Sequence, residues 1–314
     1  MNDFMIDPNP IPQVSLPAAP NRNSPGWTLV AAVNDEQVLQ SSLLASPAIS
    51  GYCQWIARRS FRSAGEAYNS ALDEAQHDIV VFAHQDTYLP ATWLPNLVHA
   101  IQQLSDIDPQ WAVLGSFGIT RSHSSDMRGF CYSTGLRRTL GAPFAEPLRA
   151  QSLDEFVLIV RKSSGLRFDE QLPGFHLYGT DICLQAETRN LGAYIISAFC
   201  IHNANGVVRF PSAFWSAYFY LRHKWWNRLP ITTCCTTITK GCLPIARRLA
   251  VELKHRIRSR PVGRRCANLT ALYESLAQSD PCIPNATDSS LTNLMNFIET
   301  AHRVDPILKQ GQHQ

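Results

Sequence analysis

The sequence predicts an α/β fold in which helices flank both faces of a mixed, mostly parallel sheet, with a helical extension at the C-terminal end. Short β-branched apolar runs recur across residues 27–201, and most of them lead through polar residues into a helical pattern. Composition agrees, because 45% of the 314 residues are hydrophobic and only 17% are charged. Such a chain buries a sizeable core, which excludes an intrinsically disordered protein.

Two strand and helix units form the first part of the predicted sheet. The apolar run 27–33 (WTLVAAV) ends in the polar segment 34–36, where a helix begins. The second unit is a helix over 66–75 followed by a strand over 78–83, which is too short and too β-branched to be a helix. A further helix is predicted over about 92–104.

Three more strands complete the predicted sheet. They are the apolar runs 111–119, 155–161 and 193–201. Thr180 is expected to cap a helix over 181–190 between the last two of them. Strands that alternate with helices favour a parallel sheet covered on both faces.

The composition changes after residue 210. Residues 210–226 predict an aromatic helix, and residues 244–258 predict an amphipathic helix with a basic face. We therefore divide the chain into a flexible lead-in at 1–25, an α/β domain at 26–230 and a basic helical extension at 231–314.

Charge and cysteine content narrow the class of protein. The net charge is +3, yet residues 240–265 hold nine Lys or Arg and one acidic residue, so the rest of the chain is mildly acidic. A confined basic patch indicates an anionic ligand rather than nucleic acid. Nine irregularly spaced cysteines favour a reducing compartment. With no signal peptide or membrane span predicted, we expect a cytoplasmic protein.

The most informative chemical pattern is His84-Gln85-Asp86, directly after the strand at 78–83. Open α/β sheets bind ligands at the carboxyl ends of their strands. Residues i and i+2 of a strand point the same way, so His84 and Asp86 can converge on one divalent ion. The alternative is that Asp86 only caps the next helix.

Two further residues carry a chemical and a structural interpretation. Asp181 begins a predicted helix, where it could be a general base kept ionised by the helix dipole or an ordinary capping residue. His202 ends a predicted strand and could be a metal ligand or a hydrogen-bonded structural histidine. His202 is a plausible ligand because Asp86 is expected nearby.

Asn34, Asp35 and Glu36 follow the first strand, where doubly wound folds face a nucleotide. An Asn-Asp pair is also a common turn. The sequence contains no GxGxxG, no GxxxxGK[ST] and no GxSxG, so dinucleotide-binding, P-loop and α/β-hydrolase interpretations lack support.

Taken in order, these motifs resemble the family 2 type of GT-A glycosyltransferases. The resemblance is closer to a bacterial glycosyltransferase-like family that includes streptomycin-biosynthesis-type domains. Three segments carry it: VVFAHQDTYLP at 80–90, LRFDEQLPGFHLYGTDICLQA at 166–186 and CIHN at 200–203. With the framing strands it covers about residues 27–230, which would make that region a GT-A domain.

The resemblance implies a role for each matching residue. HQD looks like a DxD motif in which Asp86 binds a metal and His84 replaces the first aspartate; His202 would complete the metal site. Asp181 matches the catalytic base of inverting members. The residues expected to contact the nucleotide-sugar donor are Asn34, Asp35, Glu36, Asn69, His84, Gln85 and Asp86. His176 and Tyr178 are expected on the acceptor side.

The implied function is transfer of a sugar from a nucleoside-diphosphate carrier to a hydroxyl, assisted by Mn²⁺ or Mg²⁺ and inverting the anomeric centre. The acceptor would be a glycan or lipid-linked saccharide in bacterial cell-surface polysaccharide assembly. One alternative is a non-catalytic nucleotide-sugar-binding or scaffold protein, which the histidine at position 84 keeps open. Another is a nucleotidyltransferase, although NDEQ after the first strand is the opposite of the basic loop that class needs.

The C-terminal helices also permit two interpretations. Trp225 and Trp226 beside Arg222 and Lys224, followed by the basic helix 244–258, suit the inner face of an anionic membrane. The alternative, which we favour on sequence alone, is that both helices pack on the α/β domain and leave their charges in water.

Overall fold

A computed structural model describes residues 26–49, 53–122, 126–206, 209–258 and 263–284. The predicted lead-in at 1–25 and residues 285–314 of the predicted helical extension lie outside the described residues. The predicted α/β class is confirmed, since helices pack on both faces of one large mixed sheet.

The described residues form fourteen strands and seven α-helices. The strands are β1 (Trp27–Val33), β2 (Cys53–Arg59), β3 (Ile79–Ala83), β4 (Thr87–Tyr88), β5 (Trp111–Gly115), β6 (Phe117–Thr120), β7 (Met127–Ser133), β8 (Arg138–Gly141), β9 (Leu148–Leu153), β10 (Val157–Arg161), β11 (Gly192–Ile195), β12 (Cys200–His202), β13 (Ile231–Thr232) and β14 (Thr237–Ile238). The helices are α1 (Glu36–Ser41), α2 (Ala64–Glu74), α3 (Trp93–Ile107), α4 (Tyr178–Thr188), α5 (Ser212–Lys224), α6 (Leu243–Arg258) and α7 (Leu269–Ser279).

The main sheet has the strand order β2-β1-β3-β10-β5-β11-β9-β6-β7-β12-β4, with β8 paired to β7. Strands β2, β1 and β3 are parallel, as are β5 with β11 and β7 with β12. The other pairs are antiparallel, including β10 with both β3 and β5. The parallel strands β1, β2 and β3 therefore end at one common edge, where the HQD segment follows β3.

Alternate residues of the central strands feed two cores. Val30 of β1 and Phe82 of β3 belong to the core under α2, whereas Leu29 and Val81 face the core under α3. All four side chains are fully buried or nearly so. This alternation follows from the two-residue period of a strand, and it makes the sheet hydrophobic on both faces, as the continuous apolar runs predicted.

Two predicted strands are each divided in the structure. The run 111–119 bends at Ser116, because β5 pairs with β10 and β11 whereas β6 pairs with β9 and β7. The run 193–201 leaves the sheet after β11 and re-enters it as β12. Hydrophobicity alone does not show these breaks, because the residues on either side are equally buried.

Helix α4 begins two residues before the predicted cap. Leu177 precedes it in the left-handed region, with φ of 62°, and makes no side-chain cap. The Glu155 carboxylate instead accepts hydrogen bonds from the backbone N–H groups of Leu177 and Gly179. Glu155 thus binds the backbone N–H groups at the start of the helix, a role that the sequence predicted for Thr180. Because the helix begins at Tyr178, Asp181 lies inside the first turn.

The C-terminal segment packs back onto the sheet. Leu269 and Tyr273 of α7, together with Ile283, join a buried cluster with Phe130 and Phe199. Within the described residues, no helix is both long and apolar enough to cross a bilayer. The boundary at residue 230 stays a prediction, and the segment beyond it is in close contact with the α/β sheet.

Candidate functional site

The structure brings His84, Asp86 and His202 together. One potential ligand atom from each lies within 4.8 Å of the other two. His84 and Asp86 follow β3, and His202 is the last residue of β12. Because β12 pairs with β4 in the register His202 to Thr87, the histidine is placed beside Asp86. Its Nε2 lies 3.5 Å from Asp86 Oδ1.

Burial and charge compete in this cluster. Burial would raise the pKa of Asp86, but the hydrogen bond from His202 and the charges of His84 and Arg265 lower it overall. Burial lowers the pKa of His84, although Asp86 opposes the shift. Burial also acts to lower the pKa of His202, but Asp86 outweighs it and raises this pKa. The site therefore favours an ionised carboxylate that is partly screened by neighbouring cationic groups.

Aromatic residues fix the two imidazole rings. His84 Nε2 lies 3.0 Å from the hydroxyl of Tyr178, which in turn donates to the carbonyl of Glu155 at 3.2 Å. The ring of His202 stacks on Phe156 with centroids 5.2 Å apart and planes 10° from parallel. Outer contacts of this kind hold potential ligands in one orientation before a metal arrives.

A cleft of about 480 Å³ opens beside this cluster. It lies at the edge where β1, β2 and β3 end, and its volume is in the range of small-molecule sites. Its lining residues are Ala32, Val33, Asn34, Arg58, Ser60, Phe61, Tyr68, His84, Gln85, Asp86, Phe175 and Arg265. Of the residues predicted to contact a donor, four line the cleft: Asn34, His84, Gln85 and Asp86.

Gln85 ties the end of β3 to the end of β1. Its Oε1 accepts hydrogen bonds from the backbone N–H groups of Asn34 and Asp35, at 2.9 and 3.1 Å. Its Nε2 donates to Asn34 Oδ1 at 2.5 Å. The amide therefore closes one wall of the cleft and fixes the turn that follows the first strand.

The other predicted donor residues have structural partners away from the cleft. Asp35 caps α1 by accepting from the backbone N–H of Val38, and Glu36 pairs with Arg59 at 2.5 Å. The buried amide of Asn69 donates to the carbonyl of Phe168 and accepts from the N–H of the same residue. The structure thus does not bring these three side chains to the metal cluster.

Asp181 lies in a separate buried network. Its side chain is 1% exposed and it accepts hydrogen bonds from Lys224, Trp225 and Gln185, at 2.8, 2.7 and 2.8 Å. Lys224 also pairs with Asp169 at 2.5 Å. Burial raises the pKa of Asp181, and Lys224 is the main opposing influence. Asp181 is not among the residues that line the cleft.

The two residues predicted on the acceptor side occupy different positions. Tyr178 is buried and bonds His84, so it supports the metal cluster. His176 is only partly buried and packs against Phe214 of α5, with ring centroids 5.7 Å apart. Both precede Asp181 on the same segment, which connects the cluster to the network around Lys224.

Arg265 is a site residue that the sequence analysis did not single out. Its Nη2 lies 3.5 Å from Asp86 Oδ2, and its Nε donates to the carbonyl of Asn203 at 3.1 Å. The segment that carries it is fastened by Asn203, whose side chain bonds the backbone of Cys266 at both N–H and C=O. Only its place in the basic run 240–265 hinted at a role in binding an anion.

The cluster has the donor set of a divalent metal site. One carboxylate and two imidazoles can hold a divalent transition ion and leave positions open for a ligand. Two arginines, Arg58 and Arg265, also line the cleft. The Arg58 guanidinium is held by Ser70 and Glu74 of α2, whereas that of Arg265 lies beside Asp86. A negatively charged ligand such as a diphosphate matches both features.

No family model matches the chain. A curated relative from Fuscovulum blasticum, called ATP synthase subunits region ORF 6, is 36% identical over 129 residues, which is 40% of this chain and 50% of the relative. The chain thus spans about half the length of that relative.

The solved structures that match the chain include the following three. GalNAc-T7 with UDP, GalNAc and Mn²⁺ is 9% identical with a TM-score of 0.46, over 66% of this chain and 49% of the other. TarS 1–349 from S. aureus with UDP-GlcNAc is 13% identical with a TM-score of 0.43, over 73% and 71%. The mannosyltransferase PcManGT from Pyrobaculum calidifontis, with GDP-Man and Mn²⁺, is 13% identical with a TM-score of 0.40, over 94% and 92%.

Proposed function

We propose that this chain is a metal-dependent glycosyltransferase that moves a sugar from a nucleoside-diphosphate carrier to a hydroxyl group. One observation carries the proposal. A carboxylate and two imidazoles converge at strand ends beside a cleft of about 480 Å³, which Arg265 also lines. The sequence resemblance of the HQD, YGTD and CIHN segments supports the same function.

Asp86, His84 and His202 would hold the divalent ion. When bound, such an ion neutralises the negative charge that grows on a departing diphosphate. Two imidazoles among three ligands suit Mn²⁺ better than Mg²⁺, which prefers oxygen ligands and retains its water. We therefore propose Mn²⁺ as the better of the two cofactors predicted from the sequence.

Arg265 and Asn34 would bind and orient the donor. Arg265 already faces the Asp86 carboxylate, and its guanidinium can turn to a diphosphate once that carboxylate binds a metal. Asn34 lies at the cleft wall next to Gln85, in position to contact the nucleoside. Asp35 and Glu36 would act through the turn that holds Asn34, since their carboxylates cap a helix and bind Arg59.

Asp181 is our candidate for the general base. Lys224 and Trp225 hold its carboxylate in one orientation, and an acceptor hydroxyl would have to displace one of its three donors. Direct attack by that hydroxyl on the donor sugar inverts the anomeric centre. His176 and Tyr178, on the segment leading to Asp181, would flank the acceptor. The proposed acceptor is a glycan or lipid-linked saccharide of bacterial cell-surface polysaccharide assembly.

The same geometry favours a second candidate function. Asp181 is 1% exposed and fully hydrogen-bonded, so the carboxylate expected to accept a proton is not presented to the cleft. A protein that binds nucleotide sugars without transferring them would need the metal cluster and the cleft but no exposed base. Measurement of turnover separates this function from the first.

We also propose that residues 26–230 form the transferase domain and that the protein works in the cytoplasm. The compartment is supported by the nine cysteines, all of which are free thiols. An oxidising compartment would expose these thiols to disulfide formation.

The test is donor binding by thermal shift, with UDP-, GDP- and dTDP-sugars in the presence of Mn²⁺, Mg²⁺ or a chelator. We expect stabilisation by one nucleotide only with a metal, more with Mn²⁺, and its loss in Asp86→Ala. Asp106→Ala, which removes an exposed carboxylate at the end of α3, is the matched control. Release of nucleoside diphosphate with a panel of acceptors then measures transfer. Donor binding without release supports the second function, and no response to any donor rejects both.

A further inference from the structure

Helix α6 shows an unusual distribution of its side chains. Its leucines point to solvent: Leu243, Leu249 and Leu253 are 60%, 50% and 57% exposed. Val251 is also exposed. The sequence pattern led us to expect an apolar side of this helix packed on the α/β domain, and for Leu249 and Leu253 that expectation is wrong.

Polar contacts fix the rotation of α6. The inward side carries Arg248 and Glu252, one turn apart and bonded to each other at 3.2 Å. Glu252 is buried and also accepts from the backbone N–H of Phe210 at 3.1 Å. The Arg248 guanidinium lies 3.8 Å from the centre of the Phe210 ring. Since this side is held by an ion pair and a cation–π contact, the leucines remain outward.

Basic and aromatic groups surround the exposed leucines. Arg247 and Lys254 are exposed on α6 and have no acidic partner among the described residues. Trp226, which precedes α6 in the chain, is 45% exposed. The guanidinium carbon of Arg222 and the Nζ of Lys240 lie 5.6 and 5.5 Å from the centre of its ring. Tryptophan beside cationic side chains is typical of the interface between a bilayer and water.

A groove of about 590 Å³ lies along the same helix. Thr236, Thr237 and Thr239 of the β13–β14 hairpin form one wall, and Arg247 with Val251 belongs to the other. A groove lined by threonines and arginine suits a phosphate-bearing lipid headgroup, while the exposed leucines of α6 suit acyl chains.

We propose that this surface docks on an anionic phospholipid bilayer. The basic membrane surface comprises Arg222, Trp226, Lys240, Leu243, Arg247, Leu249, Val251, Leu253 and Lys254. Charge decides between a bilayer and a second copy of the chain, because two copies would bring the same cations face to face. An anionic bilayer instead accepts both the leucines and the cations. The proposal stands independently of glycosyl transfer, since none of these residues lines the donor cleft.

The experiment is sedimentation of the full chain with vesicles of phosphatidylcholine alone or with phosphatidylglycerol. We expect binding at least about tenfold stronger to the anionic vesicles, and weaker binding at high salt. Leu249→Glu with Leu253→Glu should lower binding about tenfold or more. Ile107→Glu is the matched control, because Ile107 is a leucine-sized residue 56% exposed on α3, and its change should leave binding intact.

A second pair of variants tests the charges. Arg247→Gln with Lys254→Gln should weaken binding and reduce its salt dependence, whereas Arg137→Gln with Arg138→Gln, where the β7–β8 turn enters β8, should do neither. Asp86→Ala should bind vesicles as the wild type does, so failure of the transferase proposal would not be mistaken for failure of this one. The proposal is overturned if wild type does not bind anionic vesicles at low salt, or if the leucine variants bind equally well. A dimer in light scattering that those variants dissociate, without vesicle binding, would identify a second copy as the partner.

Discussion

Lys224→Met is the perturbation whose outcome follows most directly from the structure. Lys224 stands between two carboxylates, 2.5 Å from Asp169 and 2.8 Å from Asp181. The methionine keeps most of the side-chain volume and removes the charge together with the N–H donors that bond both carboxylates. Asp181, which is 1% exposed, then loses the cation that opposes the effect of its burial.

The expected loss is about 2–4 kcal/mol of unfolding free energy near neutral pH. Removing one partner of a buried ion pair costs about 3–5 kcal/mol because the other charge stays buried and uncompensated. The expected loss is lower than this general range because Trp225 and Gln185 still donate hydrogen bonds to Asp181, and Tyr220 still donates to Asp169. Arg121→Met is the control: it breaks an exposed pair with Glu187 and should cost less than about 1 kcal/mol.

The loss should depend on pH. Burial already raises the pKa of Asp181 above its value in the unfolded chain, and without Lys224 this pKa rises further. For a group with a raised folded-state pKa, the ionised form is penalised in the fold, so the penalty is present above that pKa and disappears as the carboxyl group protonates. The difference in unfolding free energy between variant and wild type should therefore narrow as the pH falls from neutral into the acidic range.

Urea unfolding of wild type, Lys224→Met, Asp181→Asn and the double variant, from neutral to acidic pH, measures both the size of the loss and its dependence on pH. In the double variant the uncompensated charge is gone, so we expect a coupling of about 1–3 kcal/mol between the two sites. A Lys224→Met loss under about 1 kcal/mol, constant with pH, would refute the reasoning and show that the carboxylates of the network are adequately solvated.

Three other predictions concern the site and its support. Arg265→Gln should weaken the binding of a nucleoside diphosphate with metal about tenfold, as measured by calorimetry, and leave the binding of the nucleoside unchanged. An equal loss of affinity for both ligands would argue against a contact between Arg265 and phosphate. Asn203→Ala should cost about 1–3 kcal/mol in urea unfolding and reproduce the Arg265→Gln binding defect, because it frees the backbone of Cys266. Gly65→Ala should cost about 1–3 kcal/mol of unfolding free energy, because its Cβ would clash with the carbonyl oxygen of Asp169. The control is Gly241→Ala, whose Cβ meets nothing within 4 Å; similar stabilities of the two variants would contradict the close approach.

The sequence analysis singled out the three residues of the possible metal site because their signals are local. His84 and Asp86 lie two residues apart after a β-branched strand, and His202 ends another apolar run. Strand ends concentrate polar ligands, so composition near these breaks was informative. The α/β class followed from the same runs.

Features that depend on contacts between distant segments were missed or misplaced. Arg265 and Asp86 are 179 residues apart in sequence and meet only because Asn203 fastens the C-terminal segment. The cap of α4 comes from Glu155, and Lys224 neutralises Asp181 from another helix. The outward leucines of α6 depend on the contacts of Glu252, whereas helical periodicity shows only that a face exists.

The fastening of residues 263–266 also limits how this protein can be re-engineered. Exchanging everything after residue 230 with the equivalent part of a related protein, in order to change the proposed acceptor, would also exchange the arginine beside Asp86. The exchange would also remove Tyr273, which packs against Phe130 and Phe199 in one buried cluster. Chimeras should instead exchange only the β13–β14 hairpin and α6 and retain residues 263–284. The residues proposed to bind the donor and those that pack on the sheet then remain those of the original chain.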